Sequence, residues 1–509
     1  MIVYIVRRLV VSFFILLGAT ALVFWLVAIS GDPLEDLYAD QSPNKEDKIA
    51  ERTRRMHLDQ PIPQRYLTWL AGVAKCVVPG QGCDLGTNQT GQDVKVLLGN
   101  AAGATLRLVL VAVVVAIVIG VTVGIVSALR QYSGFDYTIT FAAFLFFSLP
   151  VFWVAVLLKQ YLAIEFNDWL ADPRIGPVPM IALGLLSGLT WSAVIGGERR
   201  RRLTVFGVAC AVTVLLLLYL LAVDWFTYPA LGPGLVTVFA LGTAVGVTEL
   251  VSGLHRRGVL HASLAAAGVG IIAQFVLAGV LEDPSWPVVL LLAASTVPIG
   301  IGLGMVFGQL DKPQAARAAV LTGLLTGTLV FTDRALSAVH GYSQRVNGRI
   351  VATIGSDTPN FTGDFWQRFI DTVTHLALPT LAIMLISFAT YARFTRATML
   401  EVMSQDYVRT ARAKGLTERT VVMRHAFRNA LIPVTTLMAI DFGGVIGGAV
   451  ITENVFGWEG MGTLFINGLE RSDPNPVMGF FVLTATSIVI FNMLADIAYA
   501  YLDPRIRMS

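Results

Sequence analysis

Long apolar stretches alternate with short polar ones along almost the whole chain of 509 residues. A helix that crosses a bilayer needs about 20 predominantly apolar residues, and windows of that length predict twelve spans. Apolar stretches of this length and number predict an all-α polytopic membrane protein. The predicted spans are 9–29, 101–128, 137–164, 180–197, 203–223, 231–252, 259–281, 287–308, 316–332, 373–392, 431–451 and 477–500.

Positive charge marks one side of these predicted spans. Lys and Arg concentrate in the cytoplasmic loops of membrane proteins, so Arg7 and Arg8, before the first span, place the N-terminus in the cytoplasm. Alternation from there puts the basic loops on the same side, whereas the predicted outward loops at 224–230 and 282–287 contain no Lys or Arg. An even number of spans returns the C-terminus to the cytoplasm.

Three longer polar stretches interrupt the series and are where we expect recognition to lie. Residues 31–100 and 333–372 are predicted to face outward, and residues 393–430 to face inward. The first stretch contains Cys76 and Cys83. An oxidising compartment allows a disulfide between them, and two unpaired thiols are the alternative.

Composition narrows the possible functions. Hydrophobic residues make up 55% of the chain and charged residues 14%, against about 25% charged in a soluble domain. The net charge of +3 gives no basic field for nucleic acid, and three cysteines give no zinc pattern. The sequence contains no G-x-x-x-x-G-K-[ST] phosphate loop, no G-x-S-x-G elbow and no H-E-x-x-H metal motif. We therefore expect no ATPase, hydrolase or metal site in this chain.

Residues 405–433 form the most informative polar segment, because they are basic and helix-forming but not apolar enough to span. A first helix is predicted to end near Lys414, with Gly415 as its left-handed cap. A second helix is predicted from Thr417, with Glu418 in its first turn. Its apolar side chains offer a face to another protein, the alternative being an amphipathic hairpin on the bilayer surface. That predicted face consists of Leu416, Val421, Val422 and Phe427.

The same segment carries a family resemblance. Ala411, Gly415 and the run HAFRNALIP at 425–433 resemble the cytoplasmic loop motif of bacterial ABC-importer permeases, in which the second helix docks in a cleft of the ATPase subunit. Further runs are similar to the dipeptide, oligopeptide and nickel permeases. They are YIVRRLV at 4–10, SGDP at 30–33, LDQPIPQRYLTWL at 58–70, the run 451–479, Asn492, Asp496, Tyr499 and LDPRIR at 502–507.

The resemblance covers residues 1–165 and 364–509 and implies a six-span permease core with about six inserted spans. The implied organisation is as follows: residues 1–30 form the N-terminal cytoplasmic end and first span, 31–100 an extracytoplasmic loop region, 101–165 core spans two and three, 175–363 an inserted transmembrane module with its outer loop, and 364–509 core spans four to six with the cytoplasmic coupling hairpin 405–430.

The inserted module has no counterpart in the family, and two interpretations stay open. Its spans are rich in Leu, Val and Gly and contain few charges, which favours a lipid-facing module that contacts the partner permease or another protein. A separate transport route is the alternative. Deleting residues 180–332, an even set of spans, is expected to preserve the sidedness of the remainder.

By resemblance, the chain is a permease subunit of an ATP-driven ABC importer for peptides in the bacterial cytoplasmic membrane. The family implies a second homologous permease as heterodimer partner, two ATP-binding subunits or domains, an extracytoplasmic substrate-binding protein and surrounding lipids. ATP and Mg²⁺ are expected on the partner ATPases, and no cofactor on this chain. A nickel or haem importer is the alternative within the class. A secondary transporter, and a receptor or assembly factor, are alternatives outside it.

The resemblance also implies roles for particular residues. The strip from Glu453 to Met461 is expected to help form an outer gate, with an aromatic interfacial anchor as the alternative. The gate residues are Glu453, Phe456, Trp458 and Gly460. Residues implied to couple the permease to its ATPases are Ala411, Gly415, Leu416, Thr417, Glu418, His425 and Asn429.

Asp441 lies near the middle of a predicted span, where a charge is costly and faces a cavity or a partner helix. We expect it either to face the translocation path and meet a cationic group such as a peptide ammonium, or to pair with a neighbouring helix for assembly. The glycine pairs Gly443–Gly444 and Gly447–Gly448 in the same span would let another helix approach closely.

Overall fold

A computed structural model of the chain describes residues 2–77, 82–445, 447 and 449–502. Within these ranges the chain is helical, and its β-type pairing is one isolated bridge between Thr87 and Asp93. The predicted all-α polytopic fold is confirmed. Gly448 and residues 503–507, which belong to the predicted motifs, lie outside the described residues, as do the side chains of Asp496 and Tyr499.

Among the residues that the structure describes, eight α-helices precede residues 175–363, the segment that the sequence predicts to be an insertion. A π-helical segment at Gln160–Ile164 joins the last two of them. In chain order they are α1 (Ile2–Ser30), α2 (Glu35–Tyr38), α3 (Lys45–Arg55), α4 (Ile62–Val77), α5 (Val94–Leu129), α6 (Gly134–Ser148), α7 (Val151–Lys159) and α8 (Glu165–Ala171).

The inserted and C-terminal helices complete the chain. The module comprises α9 (Pro177–Ile195), α10 (Arg199–Ala222), α11 (Gly232–Val251), α12 (Arg257–Val276), α13 (Trp286–Phe307) and α14 (Lys312–Arg345). The remaining helices are α15 (Phe365–Met403), α16 (Asp406–Ala413), α17 (Glu418–Thr420), α18 (Phe427–Val445), α19 (Val450–Phe456), α20 (Met461–Glu470) and α21 (Pro474–Leu502).

Ten helices in the described part of the chain are long and apolar enough to cross a membrane, and two bent helix pairs bring the number to twelve. The sequence predicted a continuous span at 137–164, which is wrong, because α6 and α7 meet at an angle of 101°. Pro150 lies at this break. Proline has no N–H to donate and disfavours helix at the residue before it.

The predicted span at 431–451 is also broken. Its two parts, α18 and α19, meet at an angle of 50°. The predicted close approach of another helix is present, because a Cβ built on Gly443 would lie 3.2 Å from Ile488 Cα of α21. Gly447 likewise has room for no more than a hydrogen, with Thr484 Cγ2 at 2.9 Å from its ideal Cβ position.

The centre of the core is the long contact between α5 and α15. A Cβ on Gly120 would lie 2.6 Å from Tyr391 Cβ, and one on Gly124 would lie 2.7 Å from the Ala392 carbonyl oxygen. Ala116, one turn earlier on α5, is fully buried. Small residues on one face let two membrane helices approach closely, so this stripe on α5 sets the position of α15.

The two ends of α5 and α15 pack against different parts of the chain. At one end, Ala128 of α5 and Met399 of α15 pack against Val422 and Ala430 around the start of α18. We call this the hairpin end. At the opposite end, which we call the loop end, the N-terminal part of α5 packs against Met461 of α20.

The inserted module has two parts. α9 and α10 form a helical hairpin, in which Gly188 lies against Cys210 and Phe206. α11 to α14 form a four-helix bundle, in which Ala262 and Ala266 of α12 are packed with Ala318 of α14. The even number of inserted helices agrees with the sequence prediction for residues 175–363.

Contacts at the loop end join α14 and the preceding loops to α15. The rings of Phe331 and Trp366 lie 4.8 Å apart, and Trp366 Nε1 donates to the Leu281 carbonyl oxygen at 2.8 Å. Tyr342 donates its hydroxyl hydrogen to Asp371 Oδ1 at 3.1 Å. Polar contacts of this kind fix the module to the core where a purely apolar contact would compete with lipid.

Candidate functional site

The predicted hairpin forms, with its turn at Gly415. Gly415 has a φ of 78°, a conformation that glycine adopts readily and that a β-branched residue strongly disfavours. Thr417 takes the N-cap position with extended dihedrals, and α17 begins at Glu418. A π-helical segment, Val421–Ala426, then leads directly into α18. The second arm of the hairpin is therefore continuous with a membrane span.

Polar contacts hold the two arms together. Arg412 donates to both carboxylate oxygens of Glu418, at 3.1 and 2.6 Å. Both side chains are partly exposed, so the pair stabilises the turn by less than about 1 kcal/mol. Asn429 Nδ2 donates to the Tyr407 hydroxyl at 2.9 Å and to the His425 carbonyl oxygen at 3.3 Å. The seven predicted coupling residues thus lie within one hairpin.

The inner face of the hairpin packs against the core. Val408, Ala411 and Val421 form a buried cluster, and Val422 packs with residues of α5 and α15. The prediction that Val421 and Val422 offer a face to another protein is therefore wrong. Phe427, from the same predicted face, also packs against a core cluster. Helical periodicity identified an apolar face correctly but could not show which surface it meets.

A different apolar patch lies on the outside of the hairpin. Leu416 is 40% exposed, Met423 57% and Tyr407 41%. Leu416 belongs to the predicted coupling set, whereas Met423 and Tyr407 were missed. Exposed apolar side chains on a segment rich in arginine make this outer side of the hairpin a candidate contact surface.

The four predicted gate residues gather around Glu453, a fully buried carboxylate. Thr105 of α5 donates its hydroxyl hydrogen to Glu453 Oε1 at 2.7 Å. The backbone N–H groups of Gly462 and Thr463 donate to Oε2 at 2.7 and 3.2 Å. A Cβ on Gly460 would lie 2.6 Å from the Glu453 carboxylate. Glu453 therefore holds the corner between α19 and α20 against α5.

Phe456 and Trp458 are also buried rather than exposed to a path. Trp458 Nε1 donates to the Ala104 carbonyl oxygen at 3.1 Å, and Phe456 lies in a cluster with α7 and α15. The interfacial-anchor alternative does not describe Trp458, which is 1% exposed. Asn454 and Ile451 form the exposed side of the same corner.

Asp441 is half-buried and contacts α15. Tyr391 donates its hydroxyl hydrogen to Asp441 Oδ2 at 2.6 Å. This contact fits the assembly alternative from the sequence, while part of the carboxylate stays accessible. Tyr391 was missed because a single tyrosine in an apolar span carries no local signal.

A buried ion pair at the hairpin end was also missed. Arg396 of α15 donates to both oxygens of Asp136, at 2.7 and 2.9 Å. Asp136 is 2% exposed and also accepts from the hydroxyl of Ser127 at the end of α5. The pair fixes α6 and α15 in register, because a bidentate guanidinium–carboxylate contact is geometrically specific.

At the loop end, the structure joins Cys76 and Cys83 in a disulfide. Nearby, the backbone N–H of Gln89 donates to Asp473 Oδ2 at 2.7 Å, and Asn475 Nδ2 donates to the Thr87 carbonyl oxygen at 2.8 Å. These bonds connect the 31–100 region to the loop before α21. We call residues 86–90 and 471–475 the outer cap.

Comparison with known proteins gives the family. The model described as "Binding-protein-dependent transport system inner membrane component" matches residues 202–508, more than half of the chain. The chain belongs to this family. The match begins inside the segment that the sequence analysis assigns to the insertion.

Individual relatives agree with the family. The oligopeptide transport system permease protein OppB of Mycobacterium tuberculosis is 42% identical over 155 residues, 30% of this chain and 48% of that protein. The dipeptide transport system permease protein DppB of Escherichia coli is 40% identical over 182 residues, 34% of this chain and 54% of that protein. The chain thus spans about half the length of these curated relatives. The predicted resemblance to peptide permeases is confirmed.

Removing the guanidinium of Arg396 is expected to destabilise the fold. Arg396→Gln removes the bidentate contact and leaves the buried Asp136 carboxylate with Ser127 and the Tyr132 N–H as donors, which costs about 2 kcal/mol. Arg393→Gln is the matched control on the same helix, because Arg393 lies 3.8 Å above the Phe147 ring and its loss removes only about 1 kcal/mol. Thermal unfolding in mild detergent should show the larger drop in midpoint for Arg396→Gln, and equal drops would contradict the assignment.

The outer cap is expected to weaken as pH rises from 4 to 7. Burial raises the pKa of Asp473 to about 6 from the 3.8 of the free side chain, so the folded state binds the proton more tightly than the unfolded one. The contribution of Asp473 to stability is then largest below pH 3.8, and it falls by up to about 3 kcal/mol as pH rises past 6. Asp473→Asn should abolish this loss when thermal unfolding is followed at several pH values.

Asp40 provides the control for that measurement. Its hydrogen bond with Lys48 lowers the pKa of Asp40 to about 2, so this carboxylate stays ionised between pH 4 and 7. Asp40→Asn should therefore leave the pH dependence of the wild type in place. A wild type and an Asp473→Asn variant with parallel pH profiles would disprove the role of Asp473.

Proposed function

We propose that the chain is a pore-forming permease subunit of an ATP-driven importer of peptides. Membership of the family and the printed names of the relatives, which are oligopeptide and dipeptide transport permeases, support the substrate class. The packing of the hairpin is the observation that supports the proposed mechanism. Its inner face is buried against α5 and α15, and its outer face leaves Leu416 and Met423 exposed.

The hairpin provides the contact with the cytoplasmic ATPases. Two ATP-binding subunits or domains bind ATP and Mg²⁺ and contact Leu416 and Met423, while this chain binds no cofactor itself. Closure of the ATPases pushes on the hairpin. Since its second arm continues into α18, the displacement passes directly to a span that lies against α21 and α15.

A second, homologous permease subunit completes the pore, and an extracytoplasmic binding protein delivers the peptide. The protein lies in the bacterial cytoplasmic membrane with both termini and the hairpin end in the cytoplasm, where the arginines concentrate. The loop end, with the disulfide and the outer cap, then faces the binding protein. Oxidising conditions outside the cytoplasm suit the Cys76–Cys83 bond.

In this proposal the corner between α19 and α20 is the outer gate. Its buried residues and its exposed residues have different roles. Glu453, Trp458 and Phe456 are buried and act as positioning residues that hold the corner against α5 and α7. Asn454 and Ile451 are exposed on the same corner and are the side chains that would contact the peptide or the partner permease.

The six-helix module is an addition to a complete permease core. Residues 1–165 and 364–509 supply the hairpin, the gate corner and Asp441, and residues 175–363 supply none of them. The module therefore lies beside the transport path, and peptide passage is assigned to the core alone.

Charge on the exposed hairpin patch is expected to disrupt ATPase binding. Leu416→Asp and Met423→Asp place an unpaired carboxylate in an apolar contact, which costs 2 kcal/mol or more at an interface centre and should reduce co-purified ATPase by roughly tenfold or more. The test is purification of the tagged chain from its native host in mild detergent, with identification of the bound proteins.

Leu310→Asp is the matched control, because Leu310 is 99% exposed in another loop of the predicted cytoplasmic side. It should retain the ATPases and the sister permease. If wild type and all three variants purify alone, the importer proposal fails in favour of a secondary transporter or receptor. Bound nickel or haem in place of peptide on the co-purified binding protein would redirect the substrate class.

Asp441 is expected to favour cationic peptides in the path. Asp441→Asn removes a charge interaction worth about 1.5 kcal/mol, so uptake of a cationic dipeptide by the reconstituted importer should fall roughly tenfold more than uptake of a neutral one. Tyr391→Phe is the control, since it removes the contact with α15 and keeps the carboxylate. Equal losses for both peptides in both variants would leave Asp441 with the assembly role alone.

A further inference from the structure

A cavity of about 390 Å³ lies between α12, α13 and α14 of the inserted module and the start of α15. Its volume is in the range of ligand-binding pockets, about 300–1,000 Å³. The walls are mostly apolar, with Leu277, Leu292 and Phe331 among the lining side chains. Leu281 and Trp366 also line it and place it in the loop-end half of the bundle, where the module is fixed to the core.

Two polar side chains that line this apolar cavity each have one buried atom without a hydrogen-bond partner. Gln274 is 5% exposed, and its Oε1 accepts no hydrogen bond. Arg334 also lines the cavity, its Nε is buried without an acceptor, and within the described residues it forms no ion pair. The nearby Asp333 is engaged elsewhere, since it accepts from the N–H groups of Leu231 and Gly232 at 2.9 and 2.8 Å.

An unpaired cation at the edge of the apolar region of a membrane protein is costly unless an anion meets it. The same cavity offers an apolar volume, a buried acceptor and a cation at its loop end. This combination matches one chemical class, an amphipathic anion whose chain is apolar and whose headgroup carries a phosphate and hydroxyl donors. Basic pockets between membrane helices bind anionic lipid headgroups in this way.

We propose that the cavity is a specific binding site for an anionic phospholipid. One acyl chain lies between α12, α13 and α14, the phosphate meets Arg334, and a headgroup or glycerol donor meets Gln274. The lipid thereby bridges the bundle and Trp366 of the core helix α15. This site is independent of peptide transport and of the proposed ATPase contact.

Gly327 of α14 offers a way to fill the cavity. It lines the cavity, and a Cβ built on it meets no atom within 4 Å, so Gly327→Leu adds bulk to the cavity wall without a clash at Cβ. Gly302 of α13 is the matched control, since its ideal Cβ also meets nothing within 4 Å and it does not line the cavity. Arg334→Gln removes the charge and keeps most of the side-chain volume.

The experiment is native mass spectrometry of the delipidated full chain, titrated with dioleoylphosphatidylglycerol or dioleoylphosphatidylcholine. Wild type and Gly302→Leu are expected to retain one phosphatidylglycerol with at least tenfold preference over phosphatidylcholine. Arg334→Gln should lose the preference, and Gly327→Leu should lose the tightly bound lipid of either kind.

Three results would overturn the proposal. Equal retention of the two lipids by wild type would show no headgroup recognition. Retention by Gly327→Leu would place the lipid outside the cavity. A preference that survives when Arg334→Gln and Gln274→Leu are combined would assign headgroup recognition to another site. Thermal unfolding of each variant identifies any that fails to fold, and Gly302→Leu shows the effect of added bulk alone.

Discussion

The close contact between α5 and α15 is the constraint on which the rest of the core depends. Lipid tails are as apolar as leucine, so membrane helices gain little from burying apolar surface against each other and rely on close packing and polar contacts. Gly120 and Gly124 let α15 lie directly on α5. This close packing of α15 on α5 has three consequences. It places Tyr391 beside Asp441, it places Arg396 beside Asp136, and it provides the surface at the hairpin end on which Val422 and Ala430 pack.

Several polar groups in this core have their partners on other elements, and these contacts connect the hairpin with the corner around Glu453. Thr105 of α5 holds Glu453, and the other end of α5 contacts the hairpin. A buried carboxylate released from its donors costs several kcal/mol, so the corner around Glu453 moves as a unit with α5.

The sequence predicted what depends on local pattern and missed what depends on distant partners. Span positions follow from runs of about 20 apolar residues, and the Gly415 turn follows from one residue with a positive φ. Proline alone does not predict the break at Pro150, because Pro298, Pro379 and Pro433 lie inside continuous helices. Thr105 and Glu453 are 348 positions apart, and neither has a neighbour that signals the other. The surface that Val421 meets is likewise set by α5 and α15, not by the hairpin sequence.

The two ends of residues 175–363, the segment that the sequence predicts to be an insertion, lie side by side. Asn167 of α8, just before the module, donates to the Val351 carbonyl oxygen at 2.8 Å and accepts from the Val351 N–H at 2.9 Å. Val351 follows the last inserted helix and precedes α15. The chain thus leaves and re-enters the core at one place on the loop end. An even number of membrane-spanning helices lies between these two adjacent points, so the chain returns to the loop end before α15 begins.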